Sequence, residues 1–255
     1  MIERFEDGNM ADVLRIDDIV RKQRPPWWSA SRQVLEYLET VGFKWSPRIV
    51  AERDSEIDLT YVPGHTIPAG LDGYESEDWL IKVGNLAREM HDALEGFQPQ
   101  PGTVFVPWPI APNEKTILCH NDFSPWNSVV QDGQITGLID WDLVSMGTRE
   151  WELAWICWRW APIYPFDSRT GFDAHEQARR CRILLDAYGT DRLILDEFVD
   201  LIDQRMQCAV DVVEMLGAQG VPGFDRLLTT GMHLSGHDDR AWLADHRDTF
   251  VSVIG

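Results

Sequence analysis

The spacing of apolar and polar residues changes once along the chain, near residue 62. Before that point, short runs alternate between apolar and polar residues, and this pattern predicts β-strands. Residues 12–16 and 19–22 flank a pair of aspartates, an arrangement typical of a β-hairpin with a two-residue turn. Two further strands are predicted at 48–52 and 57–62.

Beyond the change, apolar residues recur at steps of three and four, which is the period of an amphipathic helix. This pattern predicts a long helix from Glu77 and further helices over 174–188 and 193–216. A shorter helix is predicted between the early strands, and Ser29 or Ser31 can cap its first turn.

These elements together predict an α+β protein with two lobes. The small β-rich lobe comprises residues 1–62, the larger and mostly helical lobe comprises residues 63–255, and a hinge lies at 60–64. A chain of 255 residues is long enough to build two unequal lobes around one cleft. Its 44% hydrophobic and 25% charged residues are ordinary for a globular protein.

The net charge is unusual and limits the choice of partners. Lys and Arg number 23 against 42 Asp and Glu, which gives a formal charge of −19. Because such a field repels phosphate backbones, we expect no nucleic-acid partner. The field attracts a polycationic or amine-bearing small molecule; alternatively it is a solvated acidic surface that only confers solubility.

Cysteine usage and the absence of long apolar runs predict a cytoplasmic protein. The four cysteines are spaced unlike disulfide or zinc frameworks and are expected to be buried free thiols. The acidic N-terminal segment lacks the apolar core of a signal peptide. No apolar run reaches membrane-spanning length, so no membrane partner is expected.

Three oxygen-bearing side chains form the candidate site. Asp122 and Asn127 lie five residues apart on a predicted tight loop, and Asp140 ends an apolar strand shortly afterwards. A carboxylate that faces an attacking hydroxyl, with hard oxygens for magnesium beside it, is what phosphoryl transfer requires. Each residue alone is typical of a turn, but the three together favour the functional interpretation.

The motifs around these residues resemble a known family. H-x-D-x-x-x-x-N at 120–127, a short hairpin and I-D-W at 139–141 are similar to the aminoglycoside phosphotransferase family, which is related to the protein kinases. Three flanking segments resemble the family's L-x-x-L-H helix, its hinge and its D-L-A segment, and they are residues 86–91, 60–64 and 151–154. Glu152 stands where the last of these segments has Asp.

The resemblance implies a protein-kinase-like fold and a magnesium-dependent reaction. It implies that ATP or GTP donates a phosphoryl group to a hydroxyl of a small molecule. Asp122 would then be the catalytic base, and Asn127 and Asp140 would be the magnesium ligands.

The resemblance also implies which residues hold the nucleotide. The backbone of Thr60, Tyr61 and Val62 would bind the adenine edge. Arg21 aligns best with the strand cation that contacts the phosphates. Lys22 is the alternative because a shift of one residue exchanges the two faces of a strand. Both cations are otherwise interpreted as surface residues at a strand end.

Two departures from the kinase pattern support an alternative function. The nucleotide-covering loop at 7–10 has a single glycine, and the chain begins almost at that loop, so a truncated small lobe is expected. Arg32 stands where a lysine-pairing Glu is expected, with Glu36 and Glu39 as possible substitutes. The alternative is a kinase-fold nucleotide-binding or regulatory protein with little or no catalysis.

The acceptor is predicted only by class. Asp196, Asp200 and Asp203 lie at steps of four and three on one predicted helix. Facing a cleft, they would suit amines such as an aminoglycoside, an amino sugar or a choline-like compound. Otherwise they are the solvent side of an amphipathic helix. Oligomeric state is not predicted.

Overall fold

The computed structural model describes most of the chain. The described residues are 2–5, 13–67, 76–165, 171–190 and 197–255. The single-glycine loop at 7–10 and Asp196 lie outside them.

The small lobe is a five-stranded antiparallel sheet with the strand order β1-β2-β3-β5-β4. In chain order the strands are β1 (Ile2–Phe5), β2 (Val13–Ile16), β3 (Ile19–Gln23), β4 (Ile49–Glu52) and β5 (Glu56–Thr60). The predicted hairpin is β2 and β3, and Asp17 in its turn has a φ of 53°, as a tight turn requires. Strand β1 was not predicted, because Ile-Glu-Arg-Phe does not alternate.

Helix α1 (Trp28–Thr40) packs against this sheet, but its start differs from the prediction. No side chain caps it, and the Trp28 N–H donates instead to the Pro25 carbonyl at 3.0 Å. The predicted serine cap is therefore wrong. Ser31 lies buried inside the helix, on the face that carries Ala30, Val34, Leu35 and Leu38.

The large lobe is built mainly from helices. They are α2 (Glu77–Leu94), α3 (Arg149–Trp160), α4 (Ala174–Tyr188), α5 (Phe198–Ala218), α6 (Phe224–Thr230), α7 (Ser235–Asp245) and α8 (Arg247–Ile254). Helices α2 and α4 have the predicted bounds, and the described part of α5 begins at Phe198. The chain beyond Trp151 is predicted to be helical, but no separate bounds were predicted for helices α6 to α8. Within the described residues, no helix is both long and apolar enough to cross a membrane.

Two small sheets lie between the lobes and carry the candidate site. Their strands are β6 (His65–Thr66), β7 (Ile117–Cys119), β8 (Ser128–Gln131), β9 (Gln134–Leu138) and β10 (Ser145–Gly147). Strands β6, β8 and β9 form one sheet, and β7 pairs with β10 in the other. Because β8 and β9 are a hairpin, the residues before β8 and after β9 lie side by side.

One hydrophobic core runs through both lobes. It includes side chains of α1 and β5 from the small lobe together with side chains of α2, α3, α4 and α5. Trp141 lies at the junction, with ring centroids 6.3 Å from Phe43 and 4.5 Å from His120. The two-lobed α+β fold is thus confirmed. The small-lobe sheet ends at Thr60, and the exact lobe boundary near residue 62 remains a prediction.

Helices α2 and α4 approach closely at Gly84, which gives a test of the packing. A Cβ at this position would lie 2.5 Å from the Leu184 carbonyl oxygen and 2.9 Å from the Ala187 Cβ. Gly84→Ala is therefore expected to lower the free energy of unfolding by about 1–3 kcal/mol, as overpacking does. Thermal and urea unfolding measure this change.

A neighbouring position supplies the control. Asn85 follows on the exposed side of α2, where Ala is a better helix former than Asn or Gly. Asn85→Ala should be neutral or slightly stabilising. Stabilisation by Gly84→Ala would show that the helices are not in close contact.

Candidate active site

Asp122 is held in place by two side chains of its own loop. The motif loop, residues 120–127, connects β7 to β8. The Ser124 hydroxyl donates to Asp122 Oδ1 at 2.8 Å, and the Asn127 amide donates to Oδ2 at 2.8 Å. The pKa of Asp122 is raised to about 7, mainly by burial and also by the Asp140 charge, which together outweigh the two hydrogen bonds. The predicted base thus lies beside one predicted metal ligand.

The amide of Asn127 is oriented by the same contacts. Its Nδ2 also donates to the Asp122 carbonyl oxygen at 3.0 Å, so both amide hydrogens are used within the loop. Its Oδ1 accepts no hydrogen bond from the described residues. Asp140, after β9, has a φ of 62° and uses Oδ1 for Lys22. Asn127 Oδ1 and Asp140 Oδ2 therefore accept no hydrogen bond from the described residues. Such hard oxygens fit magnesium.

Lys22 reaches the same point from the small lobe. Its buried Nζ lies 2.7 Å from Asp140 Oδ1 and 2.8 Å from Asp142 Oδ1. Burial alone would lower the pKa of Lys22, but the two carboxylates outweigh it and the pKa is raised. The ammonium is therefore charged and shared between the residue predicted to bind metal and a second acid that was not predicted.

Arg21 faces away from this cluster. It lies directly opposite Asp58 in the sheet, and its guanidinium donates to both carboxylate oxygens at 2.6 and 2.9 Å. The Arg21 hydrogen bond is the main reason why the pKa of Asp58 is lowered to about 2. Arg53 adds a third contact at 3.0 Å. Of the two cations considered from the sequence, Lys22 and not Arg21 is next to Asp140.

The acids of α1 do not replace the missing lysine partner. Glu36 pairs with Arg32 at 3.3 Å, one turn away on the same helix, and Glu39 is exposed. Among the described residues, the carboxylates that contact Lys22 are Asp140 and Asp142. Asp142 thus supplies the second carboxylate, and its place two residues after Asp140 in Asp-Trp-Asp was the available sequence signal.

A buried clamp fixes the residue before Asp122. Asn121 has a φ of 65°, and its N–H donates to Glu152 Oε2 at 2.9 Å. From the other side, Arg205 Nη2 donates to the Asn121 carbonyl at 3.0 Å. Left-handed backbone is costly for a non-glycine residue, so these contacts hold the turn that presents Asp122. Glu152 does this from the position where the family motif has Asp.

Arg205 was not predicted. It lies fully buried in α5, where its guanidinium is 4.6, 5.1 and 4.6 Å from the ring centroids of Trp108, Trp151 and Trp155. A single cation within an apolar helical stripe was the only signal in the sequence. Its ring contacts come from segments far apart in the chain.

One backbone donor of the hinge residues has no partner in the part of the chain that the structure describes. The Thr60 N–H donates to the Arg48 carbonyl and the Tyr61 N–H donates to the Asp18 carbonyl, both at 2.8 Å. The Val62 N–H makes no backbone hydrogen bond among the described residues. Val62 also covers Gly137 of β9, where a Cβ would lie 2.5 Å from Val62 Cγ1. Of the three predicted residues, Val62 keeps a free donor beside the strand that leads to Asp140.

The acidic side of α5 is neutralised by the protein itself. Asp200 pairs with Arg247 at 2.7 Å, and Asp203 pairs with Arg240 at 2.8 Å. These contacts favour the interpretation as an ordinary outer helix face that packs against α7 and α8. They leave the described acids of this face unsuited to bind an amine.

The two-lobed fold, with a hairpin that brings Asp122, Asn127 and Asp140 to one cleft, defines a kinase-like phosphotransferase. A family model described as the phosphotransferase enzyme family (APH) matches residues 103–193. The trifolitoxin immunity protein of Rhizobium leguminosarum bv. trifolii is 32% identical over 203 residues, which cover 76% of this chain and 76% of that protein. The chain belongs to this phosphotransferase family, as the sequence motifs indicated.

Solved structures share the fold at low identity. Amicoumacin kinase hAmiN is 12% identical with a TM-score of 0.67, and the match covers 94% of this chain and 88% of that one. An ethanolamine kinase of Plasmodium vivax is 11% identical with a TM-score of 0.66 and coverages of 98% and 84%. The gentamicin complex of APH(2")-IIa is 15% identical with a TM-score of 0.59 and coverages of 94% and 91%.

The buried Glu152 carboxyl makes stability depend on pH. Burial raises its pKa from 4.5 to about 7, although the Asn121 N–H and Arg205 lower it. The folded state therefore binds an additional proton between these values, and stability is lost as pH rises through the window. We expect the free energy of unfolding to fall by up to about 3 kcal/mol relative to Glu152→Gln.

Urea denaturation of both proteins at several pH values between 4.5 and 7.5 measures this difference. The variant keeps the oxygen that accepts from Asn121 but cannot ionise, so it isolates the contribution of the charge. If the free energy of unfolding changed with pH in the same way for both proteins, the prediction would be contradicted.

Proposed function

We propose that this chain transfers the γ-phosphoryl group of ATP or GTP to a hydroxyl group of a small molecule. The observation that carries the proposal is the hydrogen-bonded pair of Asp122 and Asn127 beside Asp140. It combines a carboxylate able to accept a proton with two oxygens suited to magnesium. Family membership supports the reaction class.

Asp122 would act on the acceptor hydroxyl. The acceptor oxygen forms a bond to the γ-phosphorus as the bond from that phosphorus to the β,γ-bridging oxygen breaks. The nucleoside diphosphate leaves with the electron pair, and the hydroxyl proton passes to the Asp122 carboxylate. Because the pKa of Asp122 is raised to about 7, its carboxylate is a stronger base than an exposed Asp.

The nucleotide would be held by groups on the other side of the cleft. Lys22 would contact the phosphates, and the Val62 N–H would be the hinge donor for the adenine edge. Magnesium bound by Asn127 and Asp140 would neutralise phosphate charge in the transition state.

The acceptor is inferred from the comparisons. The relative at 32% identity is named for immunity to trifolitoxin, and two of the fold neighbours are named for amicoumacin and gentamicin. These names support an antibacterial compound with a free hydroxyl as the acceptor, so that phosphorylation protects the cell.

A second candidate function rests on the state of Lys22. Its ammonium contacts the predicted metal ligand Asp140, and no helix Glu among the described residues holds it elsewhere. A protein that keeps this contact would bind nucleotide weakly and act as a regulatory or binding protein. Calorimetry with magnesium-ATP and magnesium-GTP separates the candidates, since no binding at millimolar concentration would favour the second.

Asp122→Asn tests the base. The amide keeps the shape but cannot accept the hydroxyl proton, so we expect turnover to fall by about 10²–10⁴-fold. Nucleoside diphosphate release with a panel of hydroxylated compounds measures the loss, and circular dichroism checks the fold. Asp132→Asn, at the exposed hairpin turn, is the matched control and should keep full activity. Equal turnover in both variants would refute the assignment.

Lys22→Met and Arg21→Met test which strand cation binds the nucleotide. Loss of a charge-assisted contact costs about 1.5–3 kcal/mol, so Lys22→Met should raise the Kd for magnesium-ATP by at least about tenfold. Arg21→Met should leave the Kd nearly unchanged and lower the Tm, because buried Asp58 loses its main partner. The reverse pattern in calorimetry would return the role to Arg21.

A further inference from the structure

A guanidinium beside the motif loop has no hydrogen-bonding partner among the described residues. Arg159, in the last turn of α3, forms no hydrogen bond or ion pair with any described residue, and its Nε is buried without an acceptor. The guanidinium carbon lies 3.3 Å from the ring centroid of Trp158, 4.6 Å from that of Trp155 and 5.4 Å from that of Trp126. The side chain is half-buried, so it can be reached from outside.

This guanidinium is connected to the proposed base through its tryptophans. Trp126 belongs to the motif loop itself. The Trp155 indole N–H donates to Ser124 Oγ at 3.0 Å, and that hydroxyl donates to Asp122 Oδ1 at 2.8 Å. Burial raises the pKa of Asp122, and the positive charge of Arg159 is among the groups that lower it. Arg159 is therefore close enough to Asp122 for its charge to act on that carboxylate.

The same arrangement disfavours a cationic acceptor. Aromatic faces can bind an ammonium group, but here the protein's own guanidinium lies over all three rings. The described acids of α5, Asp200 and Asp203, are already paired with arginines. An amine beside Asp122 would meet a like charge without a free described carboxylate on that helix to offset it.

An anion fits the unused donors. Stacking occupies the flat face of a guanidinium and leaves its edge N–H groups directed outward in the plane. Two such donors match the two oxygens of a carboxylate. The net charge of −19 does not prevent this contact, because repulsion between charges is screened beyond about 8 Å at physiological salt.

We propose that the acceptor carries a carboxylate or a similar anionic group beside its hydroxyl, and that the Arg159 guanidinium binds this group. The inference rests on the proposed function and narrows its substrate class. Arg159 is a specificity residue in this scheme: it anchors the acceptor so that the hydroxyl reaches Asp122.

Matched probes test the proposal. Serine and ethanolamine, glycerate and glycerol, and gluconate and sorbitol are pairs that retain hydroxyl groups and differ in a carboxylate. Nucleoside diphosphate release gives kcat/KM for each probe. In the unmodified protein the carboxylated member of each pair should be better by at least about tenfold, the effect of one charge-assisted contact.

Variants assign the preference to Arg159. Arg159→Gln should raise KM for the carboxylated probes by about tenfold and change the neutral probes less than about twofold. Arg159→Lys keeps the charge and should restore part of the loss. The matched control is Arg149→Gln at the other end of α3, where the guanidinium pairs with Asp92, and it should show no selective effect.

A binding measurement covers the case in which no probe is turned over. Acetate is titrated into the nucleotide-bound protein labelled with 5-fluorotryptophan, and Trp126→Phe assigns the relevant signal. Millimolar acetate should shift that signal in the unmodified protein and in Arg159→Lys, but not in Arg159→Gln. Absence of any acetate response would overturn the proposal.

The outcomes separate this inference from the proposed function. A preference for ethanolamine over serine, or equal losses on all probes in Arg159→Gln, would overturn the carboxylate site while Asp122-dependent transfer stood. Turnover that persists in Asp122→Asn would instead refute the proposed function. Circular dichroism of both Arg159 variants establishes that each difference arises in a folded protein.

Discussion

The contact between Lys22 and the two acids Asp140 and Asp142 connects the lobes at the point where the chemistry is proposed. Lys22 is 118 and 120 positions away from these two acids in the sequence. The charge of its buried ammonium must be balanced by the carboxylates at this point. Lys22 is the buried partner, whereas the side chains of Asp140 and Asp142 are 41% and 22% exposed, so solvent screens part of the interaction. The Trp27 indole N–H, which donates to the Asp142 carbonyl, adds a neutral contact across the same junction. These contacts therefore hold the small lobe against the turn that follows β9.

The second constraint is the pair of buried contacts that holds Asn121, the residue before Asp122. The left-handed Asn121 directs the chain so that the following carboxylate faces the cleft. Glu152 and Arg205 hold Asn121 through its N–H and its carbonyl, and both are fully buried. Because both contacts are made to the backbone of Asn121, they favour one loop conformation over others. The position of the Asp122 carboxylate matters here more than the stability that these contacts add, because proton transfer requires a hydrogen-bond distance between the carboxylate and the acceptor hydroxyl.

Sequence reasoning brought residues together correctly where the determinants are local, and the roles of those residues stay predictions. Asp122, Asn127 and Asp140 were identified because a short hairpin alone brings them together. Lys22 and Arg21 could not be separated, because their choice depends on strand register, which the pairing of Arg21 with Asp58 decides. Asp142, Arg205 and Arg159 were not assigned roles, since each acquires its role only through side chains from distant segments.

Arg205 and Arg159 have similar aromatic surroundings but differ in burial and in hydrogen-bond partners. Both guanidinium carbons lie 4.6 Å from the ring centroid of Trp155, so one indole supports two cations. Arg205 is fully buried and directs Nη2 to the Asn121 carbonyl, where no ligand can reach it. Arg159 has the same aromatic support, is half-buried and donates to no described residue. A cation that is stabilised by ring faces but contacts no anion among the described residues is suited to bind an anionic ligand. Hydrogen bonds from Trp155 to Ser124 and from Ser124 to Asp122 connect the position of that ligand to the proposed base.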